Sequence, residues 1–146
     1  AGKAQQLSID GQLHAGECCK HGAALGLKTP LGSIDVSFYR DDFSRVGLHP
    51  QIRSSEMPFE VADRPIVIVD DVLYTGRTIR AALDELADFG RPRRILLCVL
   101  VDRGGRELPI QPDIAGRTVR VGPGERVDVL VSELDGRDAV ELARAD

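Results

Sequence analysis

The chain has 146 residues, with 19 Lys and Arg against 23 Asp and Glu, a formal net charge of −4 and 42% hydrophobic residues. These values predict a single folded domain over residues 1–146 and exclude a disordered chain, because there are enough apolar side chains to build a core. No apolar run approaches the ~20 residues that cross a bilayer, so we expect no membrane segment. The acidic net charge argues against a surface that binds nucleic acid throughout.

The cysteine content and the amino-terminal residues predict a cytoplasmic protein. There are three cysteines, an odd number, and two of them, Cys18 and Cys19, are adjacent. This pattern is not a disulfide framework and favours a reducing compartment. We find no basic segment followed by an apolar stretch that would predict secretion. His14, Cys18, Cys19 and His21 lack two clean ligand pairs, so no metal site made by the protein alone is predicted.

The first clear element in chain order is a strand over residues 33–39, where apolar and polar side chains alternate. Residues 1–26 show only a weak pattern and are atypical of the rest of the chain. Residues 40–58 are charged, contain Gly and Pro, and have no sustained period. A connection of this length predicts a mobile functional loop or a disordered segment.

A strand–helix–strand unit follows. Residues 66–69 form a short, continuous apolar run, typical of a strand buried on both faces of a parallel sheet, and residues 95–101 form a second fully apolar run. Between them, apolar residues recur every three or four positions from residue 78, and Gly90 followed by Pro92 ends the helix. This unit predicts a right-handed crossover and an α/β fold with a mostly parallel sheet flanked by helices.

The last third of the chain is harder to interpret. Residues 118–121 and 127–131 are short β-like pieces separated by Gly-Pro-Gly. They are predicted either to extend the sheet or to form a hairpin. Cys98, inside an apolar run, is predicted to be a small buried hydrophobic residue.

Two consecutive carboxylates follow the first apolar run of the crossover unit. Asp70 and Asp71 are predicted to lie at the carboxyl edge of the sheet, where open α/β folds bind ligands. Adjacent carboxylates repel each other unless a cation or donor hydrogens share the charge. The vicinal hydroxyls of a ribose would satisfy both.

The next residues, 74–78, read Tyr-Thr-Gly-Arg-Thr and enter the predicted helix. Gly76 allows close backbone approach, and the N–H groups and dipole of a helix amino end attract phosphate. Neither the P-loop nor the dinucleotide-binding glycine pattern opens this helix. A diol site followed by a phosphate site predicts binding of a ribose 5-phosphate group. The alternative is that both features are an ordinary strand end and an ordinary helix start.

Three strings together resemble the PyrR family of bifunctional pyrimidine operon attenuation proteins and uracil phosphoribosyltransferases. They are DVSFYRDDF (35–43), VIVDDVLYTGRT (67–78) and VDRGGRELPI (101–110). The resemblance implies a type I phosphoribosyltransferase fold with a flexible lid loop. It also implies transfer from phosphoribosyl pyrophosphate (PRPP) to uracil, which gives UMP and pyrophosphate, with Mg²⁺ bound through PRPP. Further implications are a homo-oligomer and regulation of pyrimidine genes by binding to operon mRNA.

The resemblance also implies roles for individual residues. Asp70 and Asp71 are the implied catalytic residues. Arg103 and Val127 would border the base, and Arg40 and Arg53 would belong to the lid. The implied PRPP and nucleotide ligands are Asp70, Asp71, Val72, Leu73, Tyr74, Thr75, Gly76, Arg77 and Thr78.

One part of the family pattern is missing from the sequence. Family members have an early Thr-Arg-Gly or Thr-Gly-Gly loop that binds pyrophosphate, and residues 1–30 show neither this loop nor the strand before it. Two other functions stay open. One is an RNA-binding attenuator whose site senses UMP or UTP with little turnover, and the other is a transferase that acts on another base.

Overall fold

The computed structural model describes residues 5–10, 30–36 and 55–144. The strands and helices in these residues are, in chain order, β1 (Gln5–Asp10), β2 (Leu31–Asp35), β3 (Pro65–Leu73), α1 (Arg77–Ala87), β4 (Arg94–Asp102), β5 (Ile114–Thr118), β6 (Glu125–Leu130), α2 (Ser132–Asp135) and β7 (Ala139–Arg144). Neither α1 nor α2 is long and apolar enough to cross a membrane.

Five strands form a parallel sheet in the order β2-β1-β3-β4-β5. The β3–β4 ladder pairs Asp70 with Val99 and continues to Leu73 opposite Asp102. Because the strands run in the same direction, the carboxyl ends of β3 and β4 lie at one edge of the sheet. The predicted α/β fold with a parallel sheet is therefore confirmed.

The core lies between the sheet and α1. Ile66 and Ile68 of β3 are fully buried, and they pack with Ile79 and Leu86 of α1 and with Val99 of β4. The helical spacing of the apolar residues in α1 gives the helix a single apolar side that faces this cluster. The strand–helix–strand prediction is confirmed, although both strands are longer than the apolar runs, because parallel pairing continues through the charged residues at their ends.

The prediction that Cys98 is buried is wrong, because only one side of β4 is fully covered. Leu97 and Val99 are buried, whereas Leu100 is 47% exposed and Cys98 is only half-buried. The neighbouring strand β5 is exposed along its whole length. The side chains that alternate with Leu97 and Val99 therefore lie on the less covered side of the sheet at this position.

Two further strand predictions need correction. The structure places β1 between β2 and β3, although the sequence showed no strand in residues 1–30. The β-like piece at residues 118–121 is also wrong, because β5 ends at Thr118. The piece at residues 127–131 corresponds to β6, which forms a separate antiparallel pair with β7. The predicted strand at 33–39 corresponds to β2, which begins earlier, at Leu31; residues 37–39 lie outside the described part.

Candidate nucleotide site

The two consecutive acids lie in the last four residues of β3. Asp70 is 8% exposed, and one of its carboxylate oxygens accepts a hydrogen bond from the backbone N–H of Asp71 at 3.0 Å. Asp71 is half-buried, and its Oδ1 accepts from the backbone N–H of Val72 at 2.7 Å. Each carboxylate is therefore fixed by a local backbone donor, and Asp71 keeps its second oxygen without a hydrogen-bond partner among the described residues.

A tight turn connects β3 to α1. Gly76 has φ of +93°, a left-handed conformation that favours glycine, and it is the residue immediately before the helix. Thr75 is 4% exposed, and its Oγ1 accepts a hydrogen bond from the backbone N–H of Arg77 at 3.2 Å. The sequence Thr-Gly-Arg thus reverses the chain within three residues and brings the start of α1 next to the acids.

The amino end of α1 is electrostatically suited to an anion. Gly76 supplies no side-chain cap, and the first turn of the helix contains no acidic residue. The partial positive charge of the helix dipole at this end is therefore not neutralised by a carboxylate of the helix itself. A phosphate group bound here would gain both this charge and hydrogen bonds from backbone N–H groups.

The connection between β4 and β5 lies beside the turn, and we call its residues 107–110 the wall. The carbonyl of Thr75 accepts hydrogen bonds from the backbone N–H groups of Glu107 at 2.9 Å and Leu108 at 3.1 Å. A Cβ built on Gly76 would lie 3.4 Å from side-chain atoms of Leu108 and Ile110. The turn is therefore packed against residues 107–110 and has little freedom to change shape.

Arg103, at the end of β4, contacts Tyr74 of the turn. Its guanidinium carbon lies 3.8 Å from the centre of the Tyr74 ring, the geometry of a cation–π contact. Its side chain also donates to the carbonyl of Glu125, at the start of β6, at 3.5 Å. The structure thus brings Arg103 beside the first residue of β6, the strand in which Val127 is half-buried.

The sequence did not reveal the role of Arg106. Its guanidinium donates to the carbonyls of Tyr74 at 2.9 Å and Ile110 at 2.7 Å, and it forms a 2.7 Å ion pair with Asp102. Both side chains of the pair are largely buried, with 14% and 13% exposed. The sequence shows only that Asp102 and Arg106 are opposite charges four residues apart, and this spacing does not indicate which carbonyls Arg106 binds.

A family model described as "Phosphoribosyl transferase domain" matches residues 16–123, which is well over half of the chain. The chain belongs to the phosphoribosyl transferase domain family. The matched range includes the acids, the turn and the β4–β5 connection, whereas Glu125 and Val127 of β6 lie beyond it.

Proteins named "Bifunctional protein PyrR" are similar to this phosphoribosyltransferase domain. The relative from Thermus aquaticus is 56% identical over 117 residues, which cover 80% of this chain and 65% of the relative. The relative from Pseudomonas paraeruginosa is 58% identical over 107 residues, which cover 73% of this chain and 63% of the relative. The resemblance to the PyrR family is confirmed, and the chain spans less than two thirds of the length of these relatives.

Solved structures of phosphoribosyltransferases share the fold. The hypoxanthine phosphoribosyltransferase of Trypanosoma cruzi aligns with a TM-score of 0.65 and 16% identity over 99% of this chain and 78% of that chain. A hypoxanthine-guanine phosphoribosyltransferase from Bacillus anthracis aligns with a TM-score of 0.60 and 14% identity over 86% of this chain and 70% of that chain. At this identity the likeness shows the fold alone.

The structure brings most of the candidate site residues together. The acids and residues 72–78 form one continuous strand end and turn, and Arg103 lies against Tyr74. Arg77 is exposed and forms a 2.7 Å ion pair with Glu107, so its side chain lies against the same wall as the turn. The predicted lid residues Arg40 and Arg53, like the lid loop itself, lie outside the described residues.

Proposed function

We propose that the chain transfers the ribose 5-phosphate group of PRPP to uracil, which gives UMP and pyrophosphate. One observation supports this most strongly. The acids at the end of β3 continue directly into the amino end of α1, whose first turn contains no acidic residue, and these two features suit the diol and the 5-phosphate of one sugar. The similarity to proteins named "Bifunctional protein PyrR" supports uracil as the acceptor.

In this proposal the acids bind and stabilise the sugar. The oxygen of Asp71 that no described group occupies accepts a hydrogen bond from a ribose hydroxyl. Asp70, which is more buried, holds its charge close to the sugar. The bond between carbon 1 and pyrophosphate breaks and pyrophosphate leaves with the bonding electrons. A bond from carbon 1 to uracil N1 forms, and the N1 proton passes to the released pyrophosphate or to solvent. Positive charge develops at carbon 1, and the nearby carboxylates stabilise it.

The turn and the wall position the substrate. The backbone of residues 75–78 surrounds the 5-phosphate, and the hydrogen bonds from Glu107 and Leu108 to the Thr75 carbonyl keep that backbone rigid. A rigid cradle places carbon 1 at a fixed distance from the base, which lowers the entropy lost on reaction. Arg103 and the backbone near Val127 border uracil in this arrangement, and the lid that contains Arg40 and Arg53 excludes water.

The residues at the site fit a magnesium ion carried by PRPP. Within the described part of the chain, no three His, Cys, Asp or Glu side chains come together in a group that could hold a metal alone. Two adjacent carboxylates, Asp70 and Asp71, are present, and Mg²⁺ typically binds one or two carboxylates together with substrate phosphates and water. When bound, Mg²⁺ would neutralise charge on the leaving pyrophosphate.

The proposal extends to a regulatory activity. The relatives are named bifunctional, which supports a second function beside transfer, and the family resemblance makes pyrimidine-operon mRNA the candidate ligand. We also propose that the protein is cytoplasmic and forms a homo-oligomer. The measurement for RNA is binding of a pyrimidine-leader hairpin at increasing salt, because contacts to phosphates make affinity fall steeply with salt concentration.

The transfer reaction is tested by mixing the purified chain with PRPP, Mg²⁺ and one of three bases: uracil, cytosine or hypoxanthine. We expect UMP and pyrophosphate in equal amounts with uracil, and much slower product formation with the other bases. Product from hypoxanthine alone would contradict uracil as the acceptor. UMP binding without any turnover, together with salt-sensitive RNA binding, would instead favour the attenuator that only senses nucleotide.

A further inference from the structure

Tyr74 belongs to the turn that we assign to phosphate, but its ring is directed elsewhere. The carbonyl of Tyr74 accepts a hydrogen bond from Arg106 at 2.9 Å, which fixes the backbone. The ring lies against the guanidinium of Arg103, 3.8 Å from ring centre to guanidinium carbon, and is 36% exposed. The backbone and the side chain of Tyr74 therefore face two different parts of the site.

The guanidinium of Arg103 has few other supports. Its Nε is buried and has no hydrogen-bond partner in the described part of the chain. The hydrogen bond from its side chain to the carbonyl of Glu125 is 3.5 Å long, at the weak end of the range. Since its polar contacts to the described residues are this sparse, the Tyr74 ring, 3.8 Å from the guanidinium carbon, is its closest described support.

The Tyr74 ring packs against the backbone of Gly105, where the absence of a side chain leaves room for it. A Cβ on Gly105, which has φ of +79°, would come within 2.6 Å of the ring atom Cε2 of Tyr74. The ring thus lies directly on the backbone of the β4–β5 connection. The Tyr74 hydroxyl makes no hydrogen bond to any described residue, so the ring and not the hydroxyl accounts for this packing.

We propose that Tyr74 is a positioning residue for the base: its ring orients Arg103, and Arg103 in turn contacts uracil. This inference rests on the proposed function, because it assumes that Arg103 borders the base. A guanidinium held in one plane can donate to a uracil carbonyl oxygen without first losing side-chain freedom, which raises affinity for the base. Tyr74 therefore couples the phosphate turn to recognition of the base.

The test compares two ligands by titration calorimetry: UMP, which carries the base, and ribose 5-phosphate, which does not. The Tyr74→Leu variant removes the ring, and we expect UMP to bind about 3- to 30-fold more weakly, the range of a partly desolvated cation–π contact. Ribose 5-phosphate should change by less than about twofold, since the backbone of the turn stays bound to Arg106. Tyr74→Phe should restore the affinity for UMP, because the hydroxyl has no role.

Two further variants sharpen the result. Phe89→Leu removes an aromatic ring that is 41% exposed and lies beyond the end of α1, and it should change neither affinity. Arg103→Met should weaken UMP binding, and adding Tyr74→Leu to it should cause little further loss, because both changes remove the same interaction.

The outcomes separate the two proposals. If Tyr74→Leu weakens UMP and ribose 5-phosphate equally, or leaves both unchanged, the positioning role is refuted while the nucleotide site stands. If UMP binds the unmodified chain no more tightly than ribose 5-phosphate, the base pocket and the role of Tyr74 are both refuted. If neither ligand binds, the proposed function fails with them.

Discussion

The sharpest test of the phosphate turn is Gly76→Ala. At φ of +93°, alanine is held in a left-handed conformation that costs about 1–2 kcal/mol relative to glycine. The new Cβ would lie 3.4 Å from Leu108 and Ile110, which is tight but not a severe clash. The strain is therefore mainly in the backbone, and the turn can relieve it only by rotating the N–H groups that we assign to phosphate.

The assay is calorimetry with ribose 5-phosphate, with urea unfolding measured on the same protein. We expect binding to weaken at least about tenfold, because hydrogen bonds to a charged group contribute about 1.5–3 kcal/mol each. Gly136→Ala is the matched control. Gly136 has φ of +75° and nothing within 4 Å of its built Cβ, so its substitution introduces similar backbone strain outside the site, at the C-cap of α2.

The control makes the result decisive. In both variants the free energy of unfolding should fall by at most about 1–2 kcal/mol, and by less if the turn relaxes. Only Gly76→Ala should lose affinity for ribose 5-phosphate. Equal affinities in the two variants would show that the turn at Gly76 does not bind the phosphate, whatever their stabilities.

Three further changes test other parts of the site and the sheet. Asp71→Asn removes the negative charge, so initial rates of UMP formation should fall about 100-fold or more. It keeps the oxygen that accepts the backbone N–H of Val72, so the melting temperature should not change. An unaltered rate would refute the role of this acid. Arg106→Met leaves Asp102 buried without its partner and should destabilise the fold by about 3 kcal/mol in urea unfolding. Arg137→Met, which removes an exposed ion pair, should change stability by about 0.5 kcal/mol or less, and similar losses in both variants would refute the difference in burial. Burial raises the pKa of the Cys98 thiol, so alkylation of Cys98 by iodoacetamide should need a higher pH than alkylation of a free thiol. For the same reason, the contribution of the neutral thiol to the free energy of unfolding should be lost as pH rises above about 8.5. Alkylation of Cys98 with the same pH midpoint as a free thiol would contradict this.

The centre of the fold was predictable because its signals are local. In the unit β3–α1–β4, the strands are marked by apolar runs and the helix by the spacing of its apolar residues. The predicted end at Gly90 is wrong, because α1 ends at Ala87 and its C-cap is Asp88. The order of acids, turn and helix in residues 70–78 is likewise contained in one continuous string. For these residues, hydrophobic period and turn chemistry agree with the final structure.

The parts that were missed depend on contacts between distant residues. β1 has only two apolar residues in six, Leu7 and Ile9, and it is a strand because it pairs with β2 and β3 on both sides. The partner of β6 is β7, across α2. The turn signal Asp135-Gly136 lies between them, but β7 itself was not recognised as a strand from its sequence. Arg106 reaches a carbonyl 32 residues away in the chain, so its function could not be seen from spacing.

The connection between β4 and β5, residues 103–113, contains no helix, although it joins two parallel strands. Its shape is set by its own Arg106, which donates to the carbonyls of Ile110 and Tyr74, and by the Thr75 carbonyl, which accepts from two of its backbone N–H groups. Its outward-facing residues, such as Glu107 and Pro109, are consequently under little constraint to preserve that shape. The exposed edge of the proposed site can therefore change in charge and size during evolution while the turn at residues 74–78 that it packs against stays the same.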